Sequence, residues 1–184
     1  MRLDGSGLTQ LTRTVGSEAT DPRLSPDGSL LALNLDRGLA LARLGATLPV
    51  SPEPLPAPGE GAAFENAKWS RDGQRLAGIL KRSSGRLTLA IYSLASKTYR
   101  TLDVEGTDPV HWVGGDRSIL FMRMGRILAV DAASGRVREV LGPESPGSGR
   151  APVPIFSYDL SADERTLLVT RSTTQADIWQ VTLP

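Results

Sequence analysis

The chain has 184 residues, of which 40% are hydrophobic and 22% are charged, a balance typical of a folded globular protein. Its 21 basic and 20 acidic residues give a formal net charge of +1, so the charge predicts neither nonspecific nucleic-acid binding nor membrane insertion. The chain has no cysteine, which excludes disulfides, thiolate metal sites and a cysteine nucleophile.

The first predicted element is a lone strand within residues 1–16, around the sequence GLTQLT at positions 7–12. The N-terminal residues lack the apolar stretch of a signal peptide. The longest apolar neighbourhood, residues 39–50, is interrupted by Arg43 and is too short to span a bilayer. We therefore expect a soluble chain of unknown compartment, and a longer periplasmic or extracytoplasmic parent could carry its own targeting segment.

A short turn motif then recurs four times along the chain. It follows Leu24, Trp69, Trp112 and Leu160, which are 45, 43 and 48 residues apart. The motif is SPDG in the first copy and SRDG in the second, and it degenerates to VGGD and SADE in the third and fourth. A nearly constant period with a turn at a fixed position is typical of repeat architectures.

The period divides the chain into four units, residues 17–61, 62–106, 107–150 and 151–184. Strands are predicted at 66–69, 75–80, 87–94 and 98–102 in the second unit and at 109–112, 118–122, 126–131 and 137–141 in the third. The fourth unit has predicted strands at 155–159, 166–170 and 177–182. Short turn-forming separators between these strands predict antiparallel meanders.

The second strand of each unit is apolar at consecutive positions, as in LLAL at 30–33 and ILFM at 119–122. A strand with water on one face should alternate, so these strands must be covered on both faces. Four-stranded sheets stacked around an axis provide that cover, and the predicted fold is an all-β propeller of about four blades. The Pro-rich segments 48–61 and 142–154 are predicted to be long loops or weak edge strands.

Three segments resemble the repeats of TolB-like (WD40-like, PD40) β-propellers: DGSGLTQLT at 4–12, LSPDGSLLAL at 24–33 and ADIWQV at 176–181. The resemblance implies a propeller with a binding role. Such repeats occur in periplasmic TolB, in C-terminal sensor-like parts of bacterial Ser/Thr kinases and winged-helix regulators, and in propellers that cap prolyl-oligopeptidase-like hydrolases. Residues 171–179 look most like the kinase- or regulator-linked kind.

The strand count leaves two interpretations of the ends open. The lone N-terminal strand could complete the three-stranded fourth unit and hide an open edge. Alternatively, the chain is the C-terminal part of a longer propeller, which is the interpretation we favour. A third hypothesis is a homodimer in which two chains pair their open edges into an eight-bladed ring.

The sequence offers little for catalysis or metal binding. His111 is the single histidine and the chain has no Gly-x-Ser-x-Gly elbow, so we predict a structural or solvated histidine and no enzyme. Asp27-Gly28 and Asp72-Gly73 are expected to form turns, with the aspartates accepting hydrogen bonds from nearby amides. We predict no metal and no cofactor. The tryptophans, Trp69, Trp112 and Trp179, are expected to pack between blades.

One pattern predicts an interaction surface. An arginine follows the apolar run of each second strand, and these are Arg37, Arg82, Arg123 and Arg171. If the units are blades, the four guanidinium groups form a ring on one face that could bind a carboxylate- or phosphate-bearing partner. The plainer interpretation, which we favour, is that they are solvated hairpin charges paired with residues such as Asp36.

These observations together predict a noncatalytic binding module that engages a protein or peptide and forms a sensor-like part of a larger protein. Nucleic acid and membrane insertion are not expected. The alternatives are a propeller that gates substrate access to a hydrolase domain outside this chain, and a structural unit that assembles into a larger ring.

Overall fold

The computed structural model describes residues 6–36, 38–143 and 153–171, and within these ranges all regular structure is β-strand. The strands form three four-stranded sheets and one two-stranded sheet. No helix in the described part of the chain has the length and hydropathy that crossing a membrane requires.

The strands follow the chain order within each sheet. The first sheet contains β1 (Thr20–Leu24), β2 (Leu30–Leu35), β3 (Gly38–Arg43) and β4 (Glu53–Pro54). The second contains β5 (Ala62–Trp69), β6 (Arg75–Arg82), β7 (Leu87–Ser93) and β8 (Thr98–Glu105). The third contains β9 (Thr107–Val113), β10 (Ser118–Arg123), β11 (Arg126–Asp131) and β12 (Val137–Leu141), and the fourth contains β13 (Ile155–Leu160) and β14 (Leu167–Arg171). Every neighbouring pair is antiparallel, which confirms the predicted meanders.

The Pro-rich segments differ from regular strands as the sequence indicates. In the first sheet the edge strand β4 is only two residues long, because proline has no amide hydrogen to donate to the ladder. The structure extends β5 to Ala62, four residues before the predicted start. Most of segment 142–154 and the whole predicted strand at 177–182 lie outside the described residues.

Only residues 6–16 of the strand predicted within residues 1–16 are described, and no regular strand is present among them. Residues 6–16 contain one isolated parallel bridge, between Thr12 and Val50. The Val50 amide donates to the Leu11 carbonyl and the Arg13 amide donates to the Val50 carbonyl, both at 2.9 Å. This segment therefore contacts the segment that leads into β4, because Leu11 and Arg13 find their hydrogen-bond partner there.

Apolar side chains extend from both faces of the middle strands of the sheets, as the sequence predicts. In β6, Leu76 and Leu80 belong to a core shared with the first sheet, whereas Ala77 and Ile79 belong to a core shared with the third. Strand β10 repeats the pattern, with Phe121 facing the second sheet and Leu120 facing the fourth. The second and third sheets thus each contribute to two cores, and the sheets stack face to face.

The fourth sheet is the exception to this two-sided cover. Phe156 in β13 is 74% exposed and Leu168 in β14 is 67% exposed. Among the described residues no further sheet packs on that face, so the expectation that β14 is covered on both sides is not met there. The opposite face of the fourth sheet is buried, and Ile155 and Tyr158 are only 2% and 4% exposed.

Two tryptophans connect the second and third sheets to the sheet before each of them. The Trp69 Nε1–H donates to the Arg23 carbonyl at 2.9 Å, and the Trp112 Nε1–H donates to the Lys68 carbonyl at 3.0 Å. The Arg75 guanidinium also lies 4.8 Å from the centre of the Trp112 ring. These contacts confirm that Trp69 and Trp112 pack between sheets, while Trp179 lies outside the described residues.

The recurrent turn motif closes by the same hydrogen bonds in three sheets. In the first, the Ser25 hydroxyl donates to Asp27 at 2.6 Å, and Asp27 accepts from the Ser29 amide at 3.0 Å. Ser70 with Asp72, and Ser161 with Asp163, repeat this arrangement. The aspartates are therefore turn residues, as predicted.

The degenerate third and fourth turns gain a contact that the first two lack. Asp116 and Glu164 occupy the position of the turn glycine, with φ angles of 62° and 59°. The Asp116 carboxylate accepts from the Arg71 amide at 2.9 Å, and Glu164 accepts from the Gly114 amide at 2.7 Å. In each of these two turns, an acidic residue with a left-handed backbone conformation thus connects the turn to the preceding one. The charge-assisted hydrogen bonds offset the strain of that backbone conformation.

We predict that Trp112→Phe lowers the free energy of unfolding by about 2 kcal/mol, because it leaves the Lys68 carbonyl without its donor and removes ring volume. Trp69→Phe, which breaks the same contact one sheet earlier, should have a similar effect. Urea unfolding monitored by circular dichroism measures both. An unchanged midpoint in either variant would contradict the role of that tryptophan.

A second prediction concerns acid stability. Hydrogen bonds from Ser25 and Ser29 lower the pKa of Asp27 from 3.8 to about 2, and bonds from Ser70 and Ser161 lower the pKa values of Asp72 and Asp163. The folded chain therefore binds fewer protons, so this stabilisation is present above pH 3.8 and is lost as the pH falls through about 2.

The measurement is urea unfolding of the wild type and of the triple variant Asp27→Asn, Asp72→Asn, Asp163→Asn between pH 6 and pH 2. The wild type should be the more stable at pH 6, and the difference should shrink on acidification. A difference that stays constant with pH would contradict this account.

Candidate functional site

The first strands of successive sheets, β1, β5, β9 and β13, contact one another, and we call them the inner strands of the stack. The residue just before Leu24, Trp69, Trp112 or Leu160 is charged or ionisable in all four sheets, and these residues are Arg23, Lys68, His111 and Asp159. Lys68 and His111 are electrostatically coupled to each other and to Arg23 and Asp159, which places the four side chains in one region.

Further polar residues of the same strands complete this region, which we call the inner-strand cluster. Its members are Asp21, Arg23, Asn66, Lys68, Asp108, His111 and Asp159. They come from β1, β5, β9 and β13, one strand of each sheet.

An amide ladder crosses the cluster from sheet to sheet. The Asn34 side-chain amide donates to Asn66 at 2.7 Å, and the Asn66 side-chain amide donates to Asp108 at 3.1 Å. Asn66 holds its place with a φ of 55°, a left-handed conformation that asparagine tolerates better than most residues. The ladder therefore fixes the spacing of three successive sheets.

Lys68 lies at the centre of the cluster. Its carbonyl accepts the hydrogen bond from Trp112, which sets the position of the strand. Burial and the nearby charge of Arg23 lower the pKa of the Lys68 ammonium, although Asp21, Asp159 and Asp108 act in the opposite direction. The surrounding carboxylates thus do not fully compensate the buried charge.

His111 is half-buried beside the carboxylate of the fourth sheet. Its Nε2 atom lies 3.8 Å from Asp159, and its ring centre lies 5.3 Å from that of Tyr158. Burial, Lys68 and Arg23 lower the pKa of His111 below 6.5, while Asp159 raises it. These effects favour the neutral imidazole. The sequence predicts a structural or solvated histidine, and the structure places His111 within this cluster.

The cluster offers charged groups and hydrogen-bonding groups of both kinds. Within residues 6–36, 38–143 and 153–171, no serine or threonine hydroxyl hydrogen bonds to His111. The same ranges contain no group of three or more histidine or acidic side chains that could hold a metal ion. Lys68 and Arg23 supply donors, and Asp21, Asp108 and Asp159 supply acceptors.

The predicted arginine ring has three members within the described residues, since Arg37 lies outside them. Arg82 and Arg123 end β6 and β10, are exposed, and form no ion pair with a described residue. Arg171 ends β14 and donates to the Val153 carbonyl at 2.9 Å, so its guanidinium is engaged with backbone.

The second and third sheets bring their hairpins together near Arg123. A shallow cavity of about 560 Å³ is lined by Arg123 and by the hairpin residues Ser84, Gly85 and Arg86. Arg86 forms an ion pair with Glu105 at 2.9 Å. Arg86 is not one of the four predicted arginines, so both interpretations of those four remain predictions.

Sequence reasoning missed Arg23, Lys68, Asp159 and the amide ladder as candidate site residues. A detectable pattern exists, because the position before the aligned apolar residue is ionisable in every unit. What the pattern lacks is any local clustering, since the four residues are more than 40 positions apart. Only the contact between first strands brings them together.

Comparison with known proteins places this architecture among β-propellers. A TolB from Agrobacterium tumefaciens matches 84% of this chain at 24% identity with a TM-score of 0.58, and TolB from Acinetobacter baumannii matches 88% at 16% identity with a TM-score of 0.63. The Cps50 (Swd1) β-propeller domain of Myceliophthora thermophila matches 89% at 16% identity with a TM-score of 0.58. No family model matches the sequence, and no curated protein does.

The chain therefore has a TolB-like, WD40-like β-propeller fold, as its repeats predict. It spans 54%, 39% and 52% of the lengths of these three structures. Matching structures also include enzymes, among them a peptidase and a gluconolactonase. The shared fold carries either kind of activity, so function must be argued from the site.

Because the chain has a single histidine, the electrostatics of the cluster can be measured directly. We predict that Lys68→Met raises the pKa of His111 by removing a nearby positive charge, and that Asp159→Asn lowers it. Titration of the imidazole C2 proton by NMR gives the value. Lys81→Met, which changes an exposed residue of β6, is the control, and a Lys68→Met variant that titrates like wild type would contradict the proximity of the two groups.

Proposed function

We propose that this chain is a noncatalytic binding module, a rigid propeller surface that engages a protein or peptide as part of a larger protein. The observation that carries the proposal is the inner-strand cluster, in which four sheets contribute cations, carboxylates and amides to one region. A polypeptide presents charged groups together with backbone donors and acceptors, and this mixed surface is complementary to such a ligand.

The rigidity of the surface supports the same conclusion. The main-chain carbonyls of Lys68 and Arg23 each accept a hydrogen bond from a tryptophan of the next sheet, at 3.0 and 2.9 Å. A surface that is ordered before binding loses little conformational entropy when a partner docks. The TolB and Cps50 structures have the same propeller fold, which is consistent with a scaffold of this kind.

The hairpin face is a second candidate contact surface. Arg82 and Arg123 are exposed there without ion pairs among the described residues, and we propose that together with Arg37 and Arg171 they contact acidic groups of a partner. Arg171 already donates to the Val153 carbonyl. A test of the hairpin face should therefore substitute Arg82 and Arg123.

The test is selection from a display library of random twelve-residue peptides on the immobilised full chain. We expect peptides with a Kd of about 100 μM or tighter. The double variant Lys68→Ala, Asp159→Ala should weaken their binding at least about tenfold, and Glu60→Ala, Lys81→Ala, which also removes one charge of each sign, should not.

Failure to enrich any binding peptide would contradict a peptide-binding role. Loss of binding in Arg82→Ala, Arg123→Ala with no effect of the cluster variant would transfer the site to the hairpin face.

A further inference from the structure

Lys68 differs from the other cation of the inner-strand cluster in having no acceptor of its own. Arg23 donates to the Asp21 carboxylate at 3.0 Å and to the Pro22 carbonyl at 2.9 Å. No carboxylate oxygen among the described residues lies within 4.0 Å of the Lys68 ammonium, and none of their oxygens accepts a hydrogen bond from it. An ammonium group has three donors, so the half-buried Lys68 side chain can bind an added acceptor.

The carboxylates around Lys68 already have donors. Asp21 accepts from Arg23, and Asp108 accepts from the Asn66 amide at 3.1 Å. Asp159 accepts from the Leu160 amide at 2.8 Å. Among the described residues, the Lys68 ammonium therefore remains free to bind an acceptor that a ligand brings.

A small cavity beside Lys68 has room for such a group. It measures about 100 Å³ and is lined by residues of β1, β5 and β9, among them Arg23, Lys68 and Val110. One water occupies roughly 30 Å³ in the liquid, so the cavity suits a group of three or four heavy atoms.

The charges of the wall decide which group fits. Asp21 and Asp108 also line the cavity, so two cations face two carboxylates before a ligand enters. Both acids repel any anion, and they repel a dianionic phosphate more strongly than a monoanionic group. A carboxylate carries one negative charge and two acceptor oxygens, which match the donors of Lys68.

We propose that Lys68 and the adjoining cavity form a subsite for one carboxylate group of the bound polypeptide, either an acidic side chain or a C-terminal carboxylate. This inference rests on the proposed peptide-binding function and adds the chemistry of the group that is recognised. Lys68 binds the carboxylate, Arg23 provides a second cation at the wall, and the Trp112 hydrogen bond holds Lys68 in position.

The experiment is an NMR titration of the full chain labelled at the lysine Cε carbons, of which there are three, at Lys68, Lys81 and Lys97. The probes are N-acetylglutamate α-amide, which has a side-chain carboxylate, and N-acetylglycine, which has a C-terminal one. N-acetylglutamine amide is the neutral control. We expect a saturable shift of the Lys68 signal alone, and the tighter of the two acids identifies the source of the carboxylate.

Substitutions separate binding by Lys68 from a change of fold. Lys68→Met should weaken binding of the acidic probe at least about tenfold, followed through the His111 ring signals, while Lys68→Arg and Lys81→Met should retain it. Equal shifts from the neutral probe, no saturation by either acid, or undiminished binding in Lys68→Met would overturn the inference.

The result is independent of the peptide selection. If selected peptides bind but keep their affinity when every Asp and Glu is changed to Asn and Gln and the C-terminus is amidated, the carboxylate subsite is wrong and the binding module stands. If no peptide is enriched while the acidic probe binds at Lys68, the binding module fails and the carboxylate site stands.

Discussion

The structure depends on one constraint, which is that the middle strands of the sheets carry apolar side chains on both faces. Strand β6 illustrates it, since Leu76 and Ala77 are adjacent in sequence and belong to two different cores. A single sheet of this kind cannot bury both faces by itself, so its stability comes from the sheets on either side. Stacking of the sheets therefore follows from the apolar residues on both faces of these strands. Stacking in turn brings the first strands of the sheets together.

The contacts that join the sheets also build the candidate site. The tryptophan of one sheet binds the carbonyl of Arg23 or Lys68 in the sheet before it, and the side chains of those two residues belong to the inner-strand cluster. The backbone of a site residue is thus fixed by the neighbouring sheet. Any change that loosens the stack displaces Lys68 relative to Arg23 and His111, so stability and the geometry of the candidate site are coupled at these positions.

The sequence predicted the fold well and the site poorly. Period, turn residues and two-sided apolar strands are local features, and they were sufficient for the meanders, the tryptophan packing and the propeller. The loss of glycine from the third and fourth turns looked like decay of the motif. In the structure Asp116 and Glu164 reach back to the preceding turn, a contact that depends on the spacing between sheets and on no feature within one unit.

The sequence by itself determined that the chain folds into repeated antiparallel sheets, because hydrophobic periodicity and turn chemistry act over a few neighbouring residues. Only the tertiary structure decided which polar residues meet. Arg23, Lys68, His111 and Asp159 lie far apart along the chain and are unremarkable in their own units. The partial burial of Lys68 and His111 and the mutual electrostatic effects of the four residues arise only when four first strands converge, since electrostatic interaction depends on distance in space.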